Sequence, residues 1–152
     1  MKVLVISDSH GKLDRLVSIY EEEKPDMVIC AGDFSEDAEE LSFIYPESIY
    51  HIVKGNCDYY DMKSENEMII ELEGHRVFLA HGHHYGVKQS YGLIEKRGRE
   101  LACDVVIFGH THRQYLEKKE GIILFNPGAV MSRDYGIIKI NKESIDFLQK
   151  RF

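Results

Sequence analysis

Short apolar runs that stop at a polar turn recur along the chain and constrain its fold more than any other feature. The clearest run, Val105–Phe108, ends at Gly109 and is followed by His110 and His112. Four consecutive large apolar residues are typical of a buried strand, and a glycine after them allows a sharp turn. Both imidazoles are therefore expected at a strand end, where neutral imidazoles make good metal ligands.

The pattern along the chain predicts alternating strands and helices, followed by consecutive antiparallel strands. Apolar runs indicate strands, and period-3.6 spacing indicates helices. We expect an α/β fold in which two packed mixed β-sheets are flanked by helices. The predicted strands are 2–7, 27–31, 49–53, 67–72, 76–80, 105–108, 114–118, 122–125, 135–140 and 144–148, and the predicted helices run from 13 to just before Pro25, from about 36 to 44 and from about 90 to 102.

Length and composition favour one globular domain that spans residues 1–152. No segment approaches the roughly 18 apolar residues of a membrane span, and the first residues do not resemble a secretory signal, so a cytoplasmic location is expected. The three cysteines form no CxxC pair, which argues against disulfides or a structural zinc site. Cys30 and Cys103 are interpreted as small core residues.

The net charge of −7 works against generic binding to nucleic acid backbones or anionic membranes, because those partners require a basic surface. An anionic substrate is still compatible with this charge. Bound divalent cations can invert the local field inside an acidic protein.

Five turns that follow apolar strands each carry a side chain suited to metal binding. In open α/β sheets such turns converge at the carboxyl ends of the strands. Two Asp, one Asn and four His suit Mn²⁺, Fe, Co, Ni or Zn better than Ca²⁺, and seven ligands suit two ions that share a bridging carboxylate. The seven are Asp8, His10, Asp33, Asn56, His81, His110 and His112.

Each turn taken alone is more typical of a cap or a tight turn than of a metal site. Only the joint pattern favours a metal centre. His51 and His75 lack this placement and are interpreted as ordinary histidines. Lys54 and Arg133 are interpreted as solvated charges.

In their order along the chain, five motifs resemble the motif series of the calcineurin-like metallophosphoesterases. The short length resembles the small, lid-less phosphodiesterase branch of that superfamily, which also includes the retromer scaffold subunit Vps29. The motifs are Asp8-Ser9-His10, Gly32-Asp33, Gly55-Asn56-Cys57-Asp58, His81-Gly82-His83 and Gly109-His110-Thr111-His112.

The resemblance implies a phosphodiesterase that hydrolyses P–O bonds of a small phosphodiester through a hydroxide bridging two divalent ions, with Mn²⁺ the expected metal and Ni²⁺, Fe, Co²⁺ or Zn²⁺ as alternatives. Asp33 would bridge the two ions. One ion would be held by Asp8, His10, Asp33 and His112, and the other by Asp33, Asn56, His81 and His110.

One position departs from the larger members of the superfamily. They carry a histidine after the Asn of the third motif, where it is thought to protonate the leaving group, whereas this chain has Cys57. A thiol is less suited to that task near neutral pH. Either His83 or a metal-bound water would then supply the proton, or the enzyme would work best on esters whose leaving groups need little help. The expected catalytic residues are His110, Asn56 and His83.

Two other functions compete with this interpretation. One is a catalytically weak scaffold or interaction protein of the same fold. The other, a mononuclear or flavodoxin-like cofactor domain, is disfavoured because no glycine-rich phosphate loop follows the first strand. A homo-oligomer is also compatible with the sequence, with Phe43, Tyr45, Tyr59 and Tyr60 as a candidate partner surface.

Overall fold

Ten strands and three α-helices make up the chain, whose computed structural model describes residues 1–152. Short 3₁₀ turns at His83–Tyr85 and Val130–Ser132 add to these elements. The bounds are β1 Lys2–Ile6, α1 Leu13–Glu23, β2 Met27–Cys30, α2 Ser35–Ile44, β3 Ile49–Ile52, β4 Glu67–Leu72, β5 His75–Ala80, α3 Gly92–Glu100, β6 Val105–Ile107, β7 Gln114–Lys119, β8 Ile122–Pro127, β9 Asp134–Ile140 and β10 Ile145–Arg151.

The strands form two five-stranded sheets, with the orders β10-β9-β1-β2-β3 and β4-β5-β6-β8-β7. Strands β1, β2 and β3 are parallel, as are β5, β6 and β8. The outer strands β4, β7 and β10 pair antiparallel to their neighbours, and β9 pairs antiparallel to β1. The prediction of two mixed sheets flanked by helices is therefore confirmed.

The two sheets pack face to face, and the helices cover their outer faces. Val5, Ile29, Leu79 and Ile107 meet between the sheets in one buried cluster. A second cluster joins the outer face of the first sheet to α1 and α2, and a third joins the second sheet to α3. Because β1, β2 and β6 are covered on both faces, their sequences are continuous apolar runs rather than alternating ones.

Some element boundaries differ from the prediction. Helix α3 was expected over 90–102 but spans Gly92–Glu100, and Ala102 just beyond it has a φ of 57°. The last strand was expected to end at 148 but continues to Arg151, which pairs with Asp134. Tertiary pairing thus extends a segment that carries little apolar periodicity of its own.

Several smaller predictions concern single residues. Cys30 and Cys103 are buried, as predicted. Tyr45 stacks on Tyr20 with ring centroids 3.9 Å apart, so it belongs to the chain's own packing, whereas Tyr59 and Phe43 are exposed.

None of the helices combines the length and apolar character needed to cross a membrane. Oligomerisation and cytoplasmic location stay predictions.

Candidate metal centre

The turns that follow strands of both sheets meet at one edge of the molecule. The Asp8 N–H donates to the Gly32 carbonyl at 2.9 Å, which joins the turns after β1 and β2. The Gly109 N–H donates to the His81 carbonyl at 3.0 Å, and the His110 N–H donates to Asp8 Oδ2 at 3.0 Å. These hydrogen bonds connect the turns of the first sheet to those of the second.

Asp8, His10 and His112 form the first group of potential ligands, with ligand atoms that lie within 4.8 Å of one another. His112 Nε2 is 3.2 Å from Asp8 Oδ1, and His10 Nε2 is 3.8 Å from the same oxygen. The three side chains face a common point.

Asp33, His81 and His110 form the second group. Asp33 Oδ2 lies 3.4 Å from His81 Nε2, and His81 Nε2 lies 3.1 Å from His110 Nδ1. Two ligands of one ion, bound at about 2.1 Å each, lie at comparable separations.

The Asp33 carboxylate lies between the two groups. Its Oδ2 atom is 3.7 Å from His10 Nε2 on one side and 3.4 Å from His81 Nε2 on the other. A carboxylate in this position is suited to bridging two ions.

Two buried polar atoms of this centre have no hydrogen-bond partner in the protein, namely Asp8 Oδ1 and His10 Nε2. Asp8 is fully buried. An unpaired buried carboxylate oxygen is costly unless a cation or a donor satisfies it. The oxygen and nitrogen donors present here therefore fit divalent cations.

Hydrogen bonds to the backbone and to the Ser7 hydroxyl orient the ligand side chains. His81 Nδ1 lies 2.7 Å from the Ala31 carbonyl, and this contact assigns the proton to Nδ1 and leaves Nε2 free to bind. Ser7 Oγ donates to Asp8 Oδ2 at 2.6 Å, and the Cys57 N–H donates to Asp33 Oδ1 at 2.9 Å. Such supporting contacts fix the direction in which a ligand atom points.

The protonation states also suit cation binding. Burial lowers the pKa of His110 to about 4, and the neighbouring His81 acts in the same direction, so the ring is neutral near pH 7. Burial opposes ionisation of Asp33, but the protonated form of His81 and hydrogen bonds from Cys57 outweigh it and hold the pKa of this carboxyl well below its usual range. Burial lowers the pKa of His81, but Asp33 and Asp8 outweigh it and raise that pKa, so a cation would bind in place of the Nε2 proton. His110 and Asp33 thus present lone pairs to the centre, and His81 does so once it loses that proton.

Most of the predicted ligands have an unusual backbone conformation. Five residues have positive φ angles in the left-handed region, which residues other than glycine adopt infrequently. Strain of this kind is typical of functional sites. The five are Asp8 (54°), His10 (46°), Asp33 (61°), His110 (71°) and His112 (61°).

Asn56, Cys57 and His83 lie at the margin of the centre. Asn56 is exposed in the loop after β3, with its Nδ2 atom 3.6 Å from Cys57 Sγ. The Cys57 thiol forms a third potential ligand group with His10 and Asp33. His83 Nδ1 is buried without a partner, and the His83 ring centroid is 6.1 Å from that of His110. The roles of Asn56 and His83 stay predictions.

Sequence reasoning missed the support given by Asp58. Asp58 Oδ2 accepts the N–H groups of Asp33 and Gly55 at 3.0 and 2.7 Å, and its Oδ1 accepts the N–H of Ser35 at 2.9 Å. The carboxylate therefore joins the turns after β2 and β3. Its place two residues after Asn56 was the only signal in the sequence.

The support given by Asn126 was also missed. Asn126 precedes Pro127 and Gly128, and a β-turn accounts for these three residues without any contact to the centre. Asn126 is fully buried. Its Nδ2 donates to the Gly109 carbonyl and to Thr111 Oγ1, each at 3.0 Å. Asn126 thus holds the turn that carries both His110 and His112.

Comparison with known proteins identifies the class to which this site belongs. Residues 1–142 match the model of the calcineurin-like phosphoesterase superfamily domain. The chain is 37% identical over 134 residues to the probable metallophosphoesterase YsnB of Bacillus subtilis, and the aligned region covers 86% of this chain and 75% of that protein. It is 27% identical to the phosphodiesterase YfcE of Escherichia coli over 86% of this chain and 79% of that protein.

Solved structures agree with the fold. The chain superposes on a predicted phosphoesterase of Streptococcus pneumoniae with a TM-score of 0.77 and 22% identity, over 99% of this chain and 96% of that one. It superposes on zinc-complexed wild-type Vps29 of Entamoeba histolytica with a TM-score of 0.76 and 21% identity, over 99% of each chain. The chain belongs to the calcineurin-like phosphoesterase superfamily, and the prediction of a metal-dependent phosphoesterase is confirmed.

Proposed function

We propose that this chain is a phosphodiesterase with a binuclear metal centre, held by the seven predicted ligands and loaded with Mn²⁺. The observation that carries the proposal is the pair of ligand groups joined by Asp33, with Asp8 Oδ1 and His10 Nε2 buried and unpartnered between them. A fold that binds no cation has no need of these unpaired atoms.

The metal ions would supply an activated water near neutral pH and neutralise the charge that builds on the phosphate. The chain's own residues position these reactants. Asp33 sets the spacing of the two ligand groups, and the Ala31 carbonyl fixes His81. His110 offers a neutral ring to the centre, and Asn56 lies exposed in the loop after β3.

The leaving group needs a proton as it departs, and His83 is the residue proposed to provide it. Its ring centroid is 5.4 Å from that of His81. Burial and the neighbouring His84 lower the pKa of His83 below its ordinary value, so the ring is mainly neutral near pH 7, and the protonated minority that can donate is a stronger acid than a free imidazolium. Esters with good leaving groups depend least on this step.

The test combines turnover with metal counting. Hydrolysis of bis(p-nitrophenyl) phosphate is measured with added Mn²⁺ for the wild type, His110→Ala and the control His75→Ala, which changes a surface histidine paired to Asp104. Elemental analysis gives the ions bound per chain. We expect turnover and two ions for the wild type and for His75→Ala, and loss of turnover for His110→Ala.

Other outcomes separate the alternatives. Turnover that is equal in the wild type and His110→Ala would show that hydrolysis does not occur at this centre. Absence of turnover in the metal-loaded wild type would favour the scaffold function. Turnover with a single bound ion would support the phosphodiesterase activity but contradict the proposal of a binuclear centre.

A further inference from the structure

An open cavity of about 450 Å³ adjoins the candidate metal centre. It lies between the start of α2 and the loop of residues 57–63. Cys57 belongs both to this cavity and to a potential ligand group, and the ring of Phe34, another wall residue, is 5.0 Å from the ring of His10. A diester whose phosphate lies at the centre would therefore extend one of its two arms into this space.

The walls of the cavity are rich in exposed aromatic and thioether groups. Tyr59, Tyr60 and Met62 are 79%, 96% and 88% exposed, although they lie within four consecutive positions of one loop. Phe34 lines the opposite wall. Aromatic faces favour planar apolar partners, which stack on them at centroid distances of about 4.5–7 Å.

The carboxylates around the cavity mainly hold its walls in place. Asp61 accepts the hydroxyl of Ser35 at 2.6 Å and the N–H of Lys63 at 2.9 Å. Glu39 pairs with Lys63 Nζ at 2.8 Å. Asp58, described above, is bound by three backbone N–H groups. These groups are engaged within the chain, which leaves mainly the aromatic surfaces to contact a ligand.

The same carboxylates nevertheless set the sign of the local field. Four acidic residues line the cavity against the single cation Lys63, and one of the four, Glu36, is exposed in the first turn of α2. A second phosphate or a carboxylate placed here would meet like charges at short range. The cavity therefore disfavours an anionic arm.

We propose that this cavity is the subsite for one arm of the diester and that it selects an uncharged aromatic arm, of which a nucleobase is one example, over an aliphatic or an anionic one. The inference rests on the proposed phosphodiesterase function. It adds a substrate class and the residues that select it, namely Phe34, Tyr59, Tyr60 and Glu36.

The experiment uses competitive inhibition, because an inhibition constant does not depend on which arm leaves. Bis(p-nitrophenyl) phosphate is the reporter substrate, with Mn²⁺ present. The competitors are three methyl diesters that differ only in the second arm: benzyl, cyclohexylmethyl and 4-carboxybenzyl. We expect the benzyl diester to bind about 3- to 10-fold more tightly than the cyclohexylmethyl diester, and the carboxybenzyl diester to bind about 10-fold more weakly than the benzyl diester.

Two variants locate the selection. The double variant Tyr59→Ala/Tyr60→Ala should remove most of the benzyl preference, whereas Phe43→Ala, which removes an exposed ring of α2 outside the cavity, should retain it. Glu36→Lys should reduce the ratio of the inhibition constants of the carboxybenzyl and benzyl diesters. Glu40→Lys, on the exposed face of α2, should reduce this ratio far less. Thermal unfolding and metal content establish that each variant is folded and loaded.

The outcomes distinguish this inference from the proposed function. Reporter turnover with equal inhibition by all three diesters would overturn the subsite and leave the phosphodiesterase intact. A benzyl preference that survives the double tyrosine variant would place the selection elsewhere and also overturn it. Absence of reporter turnover in the wild type would remove the proposed function and the subsite together.

Discussion

The two ends of β1 each adjoin a buried carboxylate, and the surroundings of the two differ. At the start of the strand, Glu23 accepts hydrogen bonds from Lys2 and Tyr135, each at 2.7 Å, and from Lys150. Just beyond the other end, Asp8 is fully buried, and its Oδ1 accepts no hydrogen bond and lies beside histidine nitrogens, with His112 Nε2 at 3.2 Å. The first carboxylate is paired with lysines of the protein, whereas Oδ1 of the second is left for a cation from outside.

This difference separates a structural from a functional use of buried charge. Removing one partner of a satisfied buried pair destabilises a fold, since the remaining charge is left uncompensated. Removing a carboxylate that the fold leaves unsatisfied takes away a binding group but little stability. The predictions below change either the candidate metal centre and its support or the Glu23 carboxylate at the start of β1.

The largest effect is expected for Asp33→Ala, which removes the carboxylate shared by both ligand groups. We expect kcat/KM for an aryl phosphodiester to fall roughly 10³-fold, equivalent to about 4 kcal/mol of transition-state stabilisation. The reason is that neither ligand group remains complete. Steady-state kinetics with saturating Mn²⁺ measure this loss, and a variant that keeps more than a tenth of the wild-type rate would contradict it.

Metal binding should stabilise the folded chain. A cation that binds only the folded state at 100 times its dissociation constant contributes about 2.7 kcal/mol, and calorimetry with and without Mn²⁺ measures the resulting rise in Tm. The rise should be absent in Asp33→Asn and present in Glu23→Gln. An equal rise in both variants would mean that the ion binds away from the candidate centre.

Glu23→Gln should reduce the free energy of unfolding by about 2 kcal/mol. This is less than for a fully buried pair, because the Lys2 and Lys150 side chains are 33% and 38% exposed and water screens them. Urea denaturation gives the value, with the exposed neighbour Glu22→Gln as the matched control. The kcat/KM of both variants should equal that of the wild type.

Asn126→Ala should lower kcat/KM roughly 10-fold, within the range typical of residues that orient metal ligands. The substitution removes the donor that holds the Gly109 carbonyl and Thr111, so the turn carrying His110 and His112 loses its fixed position. Asn141→Ala is the control, since Asn141 supports a turn of similar chemistry between β9 and β10. Similar losses in both variants would indicate a general effect on folding.

The last prediction concerns the dependence of stability on pH. Burial raises the pKa of Glu23, but hydrogen bonds from Lys150, Lys2 and Tyr135 outweigh it and lower the pKa from 4.5 to about 2. The ionised Glu23 carboxylate therefore makes its full contribution to the free energy of unfolding above pH 4.5, and this contribution is lost as the pH falls through about 2. The difference in stability between wild type and Glu23→Gln should narrow over this interval, and a constant difference would contradict the assignment.

The sequence predicted the sheets and the converging turns because both leave local signals. A strand such as β6, covered on both faces, is a continuous apolar run, and a ligand turn directly follows such a run. The supporting residues leave no comparable signal. Asp58 and Asn126 lie in turns that ordinary turn chemistry already explains, and the carbonyl that orients His81 belongs to Ala31, fifty positions earlier.

The aromatic cavity was not predicted for a related reason. Tyr59 and Tyr60 were interpreted as part of a partner surface. The sequence of a loop does not show which residues of the fold lie beside its aromatic side chains, so the cavity could not be predicted. Their position beside Phe34 depends on how the loop after β3 returns to the start of α2. Only the folded chain shows that this loop borders the metal centre.

The left-handed backbone at five predicted ligands has a consequence for the evolution of this fold. An L-residue in that conformation costs roughly 1 kcal/mol relative to glycine. A mutation from one of these histidines to glycine would therefore relax the backbone at the same time as it removes a ligand. Stability of the fold therefore does not select against the loss of these histidines. Selection for metal binding, rather than for stability, would have to retain their side chains.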